Sequence, residues 1–267
     1  MEQTTLSNFR NSLVESYDQL FRNANYYFGD RREKGFANLG LFQPETSDHE
    51  TACENLMERL LGLIRQQKNI VLDVGCGLGG STQSIARHFP PEKIHGINIS
   101  EYQLSECRVR IPQANFYLMA AESLAFRKNM FDTVVSVEAA PHFQGRYDFI
   151  KEAYRVLKPG GELVVADMLF TAQPKKFRKA LANQEIYKNL EEYRALYEKS
   201  GFCDISFDDV TNACWKGFTE YTKSRALKNL ITKKIDGDIF QQLLKFAKKF
   251  EELPVLAYVL VHCCKPM

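Results

Sequence analysis

The 267-residue chain lacks the marks of a secreted, membrane-spanning or polyanion-binding protein. No segment approaches the uninterrupted apolar length that crosses a bilayer. The opening MEQTTLSNFRNSLVESYDQL is polar and charged throughout, without the apolar run of a signal peptide. Excess charge of one sign is missing as well: 35 basic residues stand against 33 acidic ones, a formal +2, too weak a field to recruit nucleic acid or an anionic membrane. Seven cysteines (Cys53, Cys76, Cys107, Cys203, Cys214, Cys263, Cys264) are odd in number and scattered, with no CxxC spacing to clamp zinc. They read as reduced thiols, with no metal expected. Internal repeats and low-complexity linkers are absent too. What remains is the expectation of a cytoplasmic single-domain protein with a small partner, no nucleic acid and no stable membrane association, whose assembly into a homo-oligomer is left open.

The composition, 45% hydrophobic and 25% charged, promises an ordinary core. Apolar and aromatic residues recur at helical spacing from Leu6 to Phe28 (Phe9, Leu13, Tyr17, Leu20, Phe21). A capping box of Ser47 and Glu50 then opens a second helix through LMERLLGLI. From Asn69 the rhythm changes. NIVLDVG, KIHGINIS, ANFYLMA, FDTVVSVE and GELVVADMLF are short strand-like runs, several separated by helical sequence, which predicts right-handed βαβ units and a parallel sheet over about 69–170. KPGG turns a helix into a strand, with Pro159 stopping the helix and the glycines allowing positive φ. Residues 173–200 read as helical, and FCDISFDDV and VLAYVLVHCC as two further strands. The division is a helical lid and first helix (1–68), a core (69–170), and cap helices with the last two strands (171–267).

VLDVGCGLGGST carries the strongest local signal. Gly75, Gly77 and Gly80 satisfy GxGxxG between a strand and a helix, a site suited to a pyrophosphate. Asp73, two residues before the first glycine, would repel a phosphate and suits a cationic amine. Asn98, not a carboxylate, ends the second strand and can hydrogen-bond a ribose diol. A ligand with an α-amino group, a sulfonium and a ribose but no phosphate, S-adenosylmethionine, matches that set.

VLDVGCGLGG, GINISEYQL, MAAESLAF, FDTVVSVEAAPHF and EAYRVLKPGGELVVADMLF together resemble the motif series of the class I S-adenosylmethionine-dependent methyltransferases, over about 100 residues and in order. Within that superfamily the chain is similar to small-molecule enzymes: natural-product O-methyltransferases and sterol and phosphobase methyltransferases. The resemblance implies a Rossmann-like α/β fold, with a seven-stranded, mostly parallel sheet, one antiparallel strand, a helical N-terminal lid and inserted cap helices. It implies S-adenosyl-L-methionine as cofactor and S-adenosyl-L-homocysteine as product. Asp73 would sit near the methionine amine, directly or through water, where Gly75 and Gly77 allow close backbone approach. Asn98 and Ile99 would flank ribose and adenine, with Gln103 nearby and Val137 bordering the cofactor. MAAESLAF departs from the family's G-D-A-E-x-L-P-F: the adenine-binding aspartate is Ala120, leaving the Ala121 N–H and Glu122 to receive the base. YDQL with NLGLF resembles the family's lid, although Leu41 and Phe42 replace its Tyr-Trp ending. Tyr17 is the chief lid residue, with Tyr26, Tyr27 and Phe28 beside it.

Ligands of open α/β sheets gather at the carboxyl ends of strands. Asp73, Glu138 and Asp167 end or nearly end three strands that are neighbours in the family's order, and His142 follows the middle one. Methyl transfer from a sulfonium is an in-line displacement helped mostly by positioning and desolvation, and an alcohol acceptor must also lose a proton. Imidazoles, titrating near ~6.5, suit that task. His142 is therefore expected as general base with Asp167 as its partner. Glu138 is left as an amine ligand, an acceptor-facing group or an ion-pair partner. His49, His88, His95 and His262 read as structural. The expected reaction is methylation of a hydroxyl on a small, largely apolar metabolite of secondary metabolism. Methylation of nitrogen or carbon is the nearest rival, kept open by Tyr187, Tyr193, Tyr197, Phe218 and Tyr221, and a non-catalytic S-adenosylmethionine-binding role stands behind it. Near-neutral charge and the absence of an NPPY-type tetrapeptide disfavour nucleic-acid acceptors.

Overall fold

The computed structural model describes residues 12–19, 22, 34–65, 70–174 and 184–267. Phe9, Leu20, Phe21, Tyr26, Tyr27, Phe28 and Asn69 lie outside the described residues. Residues 12–19 are helical, as the spacing of Leu13 and Tyr17 predicts.

Seven strands form one sheet: β1 (Val71–Val74), β2 (Ile94–Asn98), β3 (Asn115–Leu118), β4 (Phe131–Val137), β5 (Leu157–Phe170), β6 (Cys203–Asp209) and β7 (Val255–Cys264), in the order β3-β2-β1-β4-β5-β7-β6. Pairing is parallel from β3 through β5, and β7 runs antiparallel to both β5 and β6. The expected single antiparallel strand is thus β7. Helices cover both faces, so central strands are buried on each side and read as near-continuous apolar runs; all four residues of β1 are buried, Asp73 among them.

On one face α1 (His49–Leu61), α2 (Gly80–Ile85), α6 (Gly217–Ile231) and α7 (Gly237–Glu251) deliver Leu56, Leu60, Ile85, Phe218 and Phe250 to a core that includes Val164, Ala166, Met168 and Tyr258. On the other, α4 (Arg146–Val156) and α5 (Leu190–Ser200) pack Phe149, Ala153, Tyr193 and Tyr197 against Val165, Leu169 and Val259. Successive residues of β5 alternate between these cores, as a pleated strand requires. Helix α3 (Glu101–Arg110) packs Leu104 and Cys107 near Cys76 of the glycine turn.

Three local expectations are corrected. The cap of α1 is Asp48, whose carboxylate accepts from Thr51 N–H at 2.8 Å; Ser47 instead donates its hydroxyl to Asp48. KPGG belongs to the extended start of β5, and of its glycines Gly160 has a positive φ, 68°. Among the described residues of 173–200 the helix is α5 alone, starting at Leu190 on an Asn189 cap, and 184–189 are not helical; residues 175–183 lie outside the described ones. Among the described residues no helix is long and apolar enough to cross a membrane.

Candidate active site

The chain order of the sheet reverses between β1 and β4, and the turn after β1 opens there onto a cavity. Gly75, Gly77 and Gly79 hold φ values of 78°, 55° and 92°, a left-handed succession that L side chains resist. Gly75 and Cys76 donate their N–H groups to the Ile97 carbonyl at 3.0 and 3.1 Å, tying the turn to β2. A Cβ on Gly75 would lie 2.4 Å from the Ala139 methyl, whereas one on Gly77 would meet nothing within 4 Å. Gly77 therefore leaves its backbone open to a ligand.

Asp73 lies beneath this turn, fully buried and outside the cavity lining. Its Oδ2 accepts from the hydroxyls of Ser81 and Thr82 at 2.8 and 2.6 Å, while Oδ1 is buried with no hydrogen-bond partner. Burial pushes its carboxyl up to about 6, against the downward pull of the two hydroxyls. An anion here is costly unless a cation is bound close by.

At the end of β2, Asn98 donates to Gln103 Oε1 at 2.9 Å and accepts from the Ile99 N–H at 2.7 Å. Asp18, from the N-terminal helical segment, receives the Ser100 hydroxyl at 2.7 Å and the Gln103 amide at 3.0 Å. The 12–19 helical segment is thereby tied to the start of α3 beside Asn98. Ala121 and Glu122 line the same side, and Glu122 accepts from the Gln144 N–H, joining the loop after β3 to the loop after β4.

The stretch 35–42 forms the roof. Gly80 N–H reaches the Gly35 carbonyl at 3.2 Å, and Gly40, at φ 84°, sits so close to α1 that a Cβ would be 2.6 Å from the Ala52 side chain. Leu41 is buried, and Phe42 packs against Tyr221 with 5.1 Å between ring centroids, so the two lid departures fill core positions. Glu138 anchors this roof. Its Oε1 accepts from Leu39 N–H and from the Tyr258 hydroxyl, each at 2.7 Å, while its own backbone is held at φ 51°. Strain of that kind persists where the surroundings fix a functional conformation.

His142 closes the short turn Ala140–His142 and lines the cavity with Tyr17, Val137 and Glu138. Its Nε2 shares a 2.7 Å hydrogen bond with the Tyr17 hydroxyl, and the rings meet edge to face at 5.0 Å. Asp167 departs from expectation. Strand alternation turns it away from the cavity that its neighbour Met168 lines, into the opposite core, where it is fully buried. Its carboxylate receives Arg146 Nε at 2.8 Å, the Tyr193 hydroxyl at 2.7 Å and the Met168 N–H at 2.7 Å. Arg146 is buried beside it and held strongly protonated by that carboxylate. The same guanidinium reaches Gln184 Oε1 at 3.5 Å, and the Gln184 amide donates to the Pro141 carbonyl at 2.6 Å. Asp167 thus connects to the His142 turn through the protein interior.

Against this geometry the comparisons are direct. The methyltransferase domain family matches residues 72–165. The 27-O-demethylrifamycin SV methyltransferase of Amycolatopsis mediterranei is 26% identical over 271 residues, spanning 96% of this chain and 97% of that protein. The O-methyltransferase rstn1 of Aspergillus nomiae is 30% identical over 192 residues, 66% of this chain and 84% of that protein. The chain belongs to the S-adenosylmethionine-dependent methyltransferases. In fold it is similar to Haemonchus contortus phosphoethanolamine N-methyltransferase 2 in complex with S-adenosyl-L-methionine, at a TM-score of 0.73 and 20% identity; the match covers 97% of this chain and 60% of that longer one.

The methyltransferase's cavity suits its cofactor: the turn is open at Gly77, and a buried carboxylate oxygen without a partner lies behind it. Bound there, S-adenosyl-L-methionine supplies a sulfonium-activated methyl group. Other parts of the cavity were not foreseen. Leu13, Phe36, Met168, Trp215 and Phe250 supply an apolar wall, with Trp215 and Phe250 stacked at 4.0 Å. That Trp215 is the chain's sole tryptophan was the one available signal. The aromatic residues expected from the cap lie elsewhere: Tyr187, Tyr193 and Tyr197 are core, and Phe218 packs beneath Phe250.

Proposed function

We propose that this methyltransferase transfers the methyl group to a hydroxyl of a small, largely apolar metabolite, with His142 as general base. The carrying observation is the hydrogen bond of 2.7 Å between Tyr17 and His142 Nε2 in the lining of a cavity that Met168, Trp215 and Phe250 also line. A phenol from the N-terminal helical segment and an imidazole from the turn after β4 meet where an acceptor oxygen would enter. An entering hydroxyl replaces the phenol at Nε2 and gives its proton to the ring as its oxygen attacks the methyl carbon. The apolar wall keeps water out and favours an acceptor with apolar surface. Of the two relatives described above, one is named an O-methyltransferase and the other a methyltransferase of 27-O-demethylrifamycin SV, which supports the reading.

Asp73, Gly75, Gly77, Asn98, Ile99, Gln103, Ala121, Glu122 and Val137 are assigned to the cofactor side. Glu138 holds the roof by its bond to Leu39, and Asp167 positions rather than reacts: it fixes Arg146, whose link through Gln184 reaches the carbonyl preceding His142. Replacing His142 by Ala is expected to lower kcat about 10²–10⁴-fold at saturating S-adenosyl-L-methionine. Undiminished turnover would end the assignment. A second reading, transfer to nitrogen or carbon, draws on Phe36, Trp215 and Phe250, whose faces would favour a cationic acceptor or intermediate. There the His142 variant keeps its activity.

A further inference from the structure

At the opposite end of the sheet from the cofactor cavity, three side chains of different chemistry converge. Glu162 near the start of β5 is paired in register with Cys264 at the end of β7, and His262 lies two residues before Cys264 on the same strand. Directly paired residues, and residues two apart on one strand, share a face. All three therefore project to the side that α1 covers. His262 Nε2 lies 2.7 Å from Glu162 Oε2 and 3.9 Å from Cys264 Sγ, and the three ligand atoms all lie within 4.8 Å of one another. Glu162 and His262 are buried, and Cys264 is half-buried at the rim, which leaves an entry path.

We propose that Glu162, His262 and Cys264 form a zinc site that clamps β7 to β5. The donor set decides the metal: imidazole nitrogen, carboxylate oxygen and thiolate sulfur together suit zinc, whereas magnesium and calcium take oxygen alone. Zinc bonds of about 2.0–2.3 Å in tetrahedral array put ligand atoms roughly 3.3–3.6 Å apart. The spacings found here bracket that range, so the Glu162–His262 contact opens and the sulfur closes in by fractions of an ångström to about one. The Arg65 N–H, 2.9 Å from Glu162 Oε2, supplies the outer hydrogen bond that orients a ligating carboxylate. Binding places the imidazole proton on Nδ1, releases the Cys264 thiol proton to solvent, and leaves a fourth position for water. The site lies roughly 15–20 Å along the strands from the cofactor cavity, at about 3.3 Å per residue, so its role is structural. No CxxC spacing announces it, because the ligands are gathered across strands.

The test uses the full chain, stripped with a chelator and titrated with zinc chloride, then with cobalt(II) chloride as a spectroscopic stand-in. One metal per chain is expected, with a thiolate-to-cobalt charge-transfer band that vanishes in Cys264→Ser. His262→Gln is expected to abolish uptake as well; being buried it risks the fold, whereas the half-exposed Cys264→Ser does not carry that risk. Substoichiometric uptake by the wild type, or a thiolate band that persists in Cys264→Ser, overturns the proposal.

Discussion

Asp73 is a fully buried carboxyl group behind the glycine turn. Its ordinary value of 3.8 is raised to about 6 by burial, so between these limits the folded chain holds a proton that the unfolded chain has released. Its contribution to stability accordingly falls as pH rises through that window, by on the order of 3 kcal/mol, and is constant above it. A cation bound against the glycine turn favours the ionised form and reverses part of that loss. Calorimetric affinity for S-adenosyl-L-methionine is therefore expected to rise from pH 5 to pH 7, and Asp73→Asn, which keeps an acceptor for Ser81 and Thr82, to flatten the rise and weaken binding at pH 8 by about tenfold or more. Parallel pH curves for wild type and variant would separate Asp73 from the cofactor.

The element that makes the cavity is β1, its glycine turn and α2 taken together. Its two critical glycines differ in what a side chain would meet. Gly77→Ala meets empty space, so the expected stability cost is only the left-handed strain, about 1–2 kcal/mol, while the added methyl stands where the cofactor must approach. Thermal unfolding should show a small loss and calorimetry a large one in cofactor affinity; retained affinity would place the donor elsewhere. This element was legible in VLDVGCGLGGST because turn chemistry is local. The alternative for Asp167 was not, since a carboxylate near a strand end faces either side of the sheet by one residue of register. Met168 faces the cavity, and Asp167 meets Arg146, 21 residues earlier in the chain, in the other core. The cap of α1 slipped by one residue for a similar reason: Ser47 and Asp48 are both good caps, and helix geometry chose the second.

At the scale of the whole molecule, the seven-stranded sheet, its single antiparallel strand and the adjacency of β1, β4 and β5 followed from the resemblance of the motif series to the class I methyltransferases, while the alternation of strands and helices by itself implied only parallel βαβ units. The acceptor wall could not be, because Leu13, Phe36, Met168, Trp215 and Phe250 come from five separate stretches brought together only by the finished fold. That wall and the Tyr17–His142 pair, lining one cavity, support the central proposal that a methyl group passes to oxygen on an apolar molecule. The most direct measurement is mass spectrometry of products formed with methyl-deuterated S-adenosyl-L-methionine and matched acceptors carrying a hydroxyl, an amine or a prenyl chain on one apolar skeleton. The expected result is a single labelled methyl ether from the hydroxyl compound, strongly slowed in His142→Ala. Label on nitrogen or carbon, with the ether absent, would contradict it.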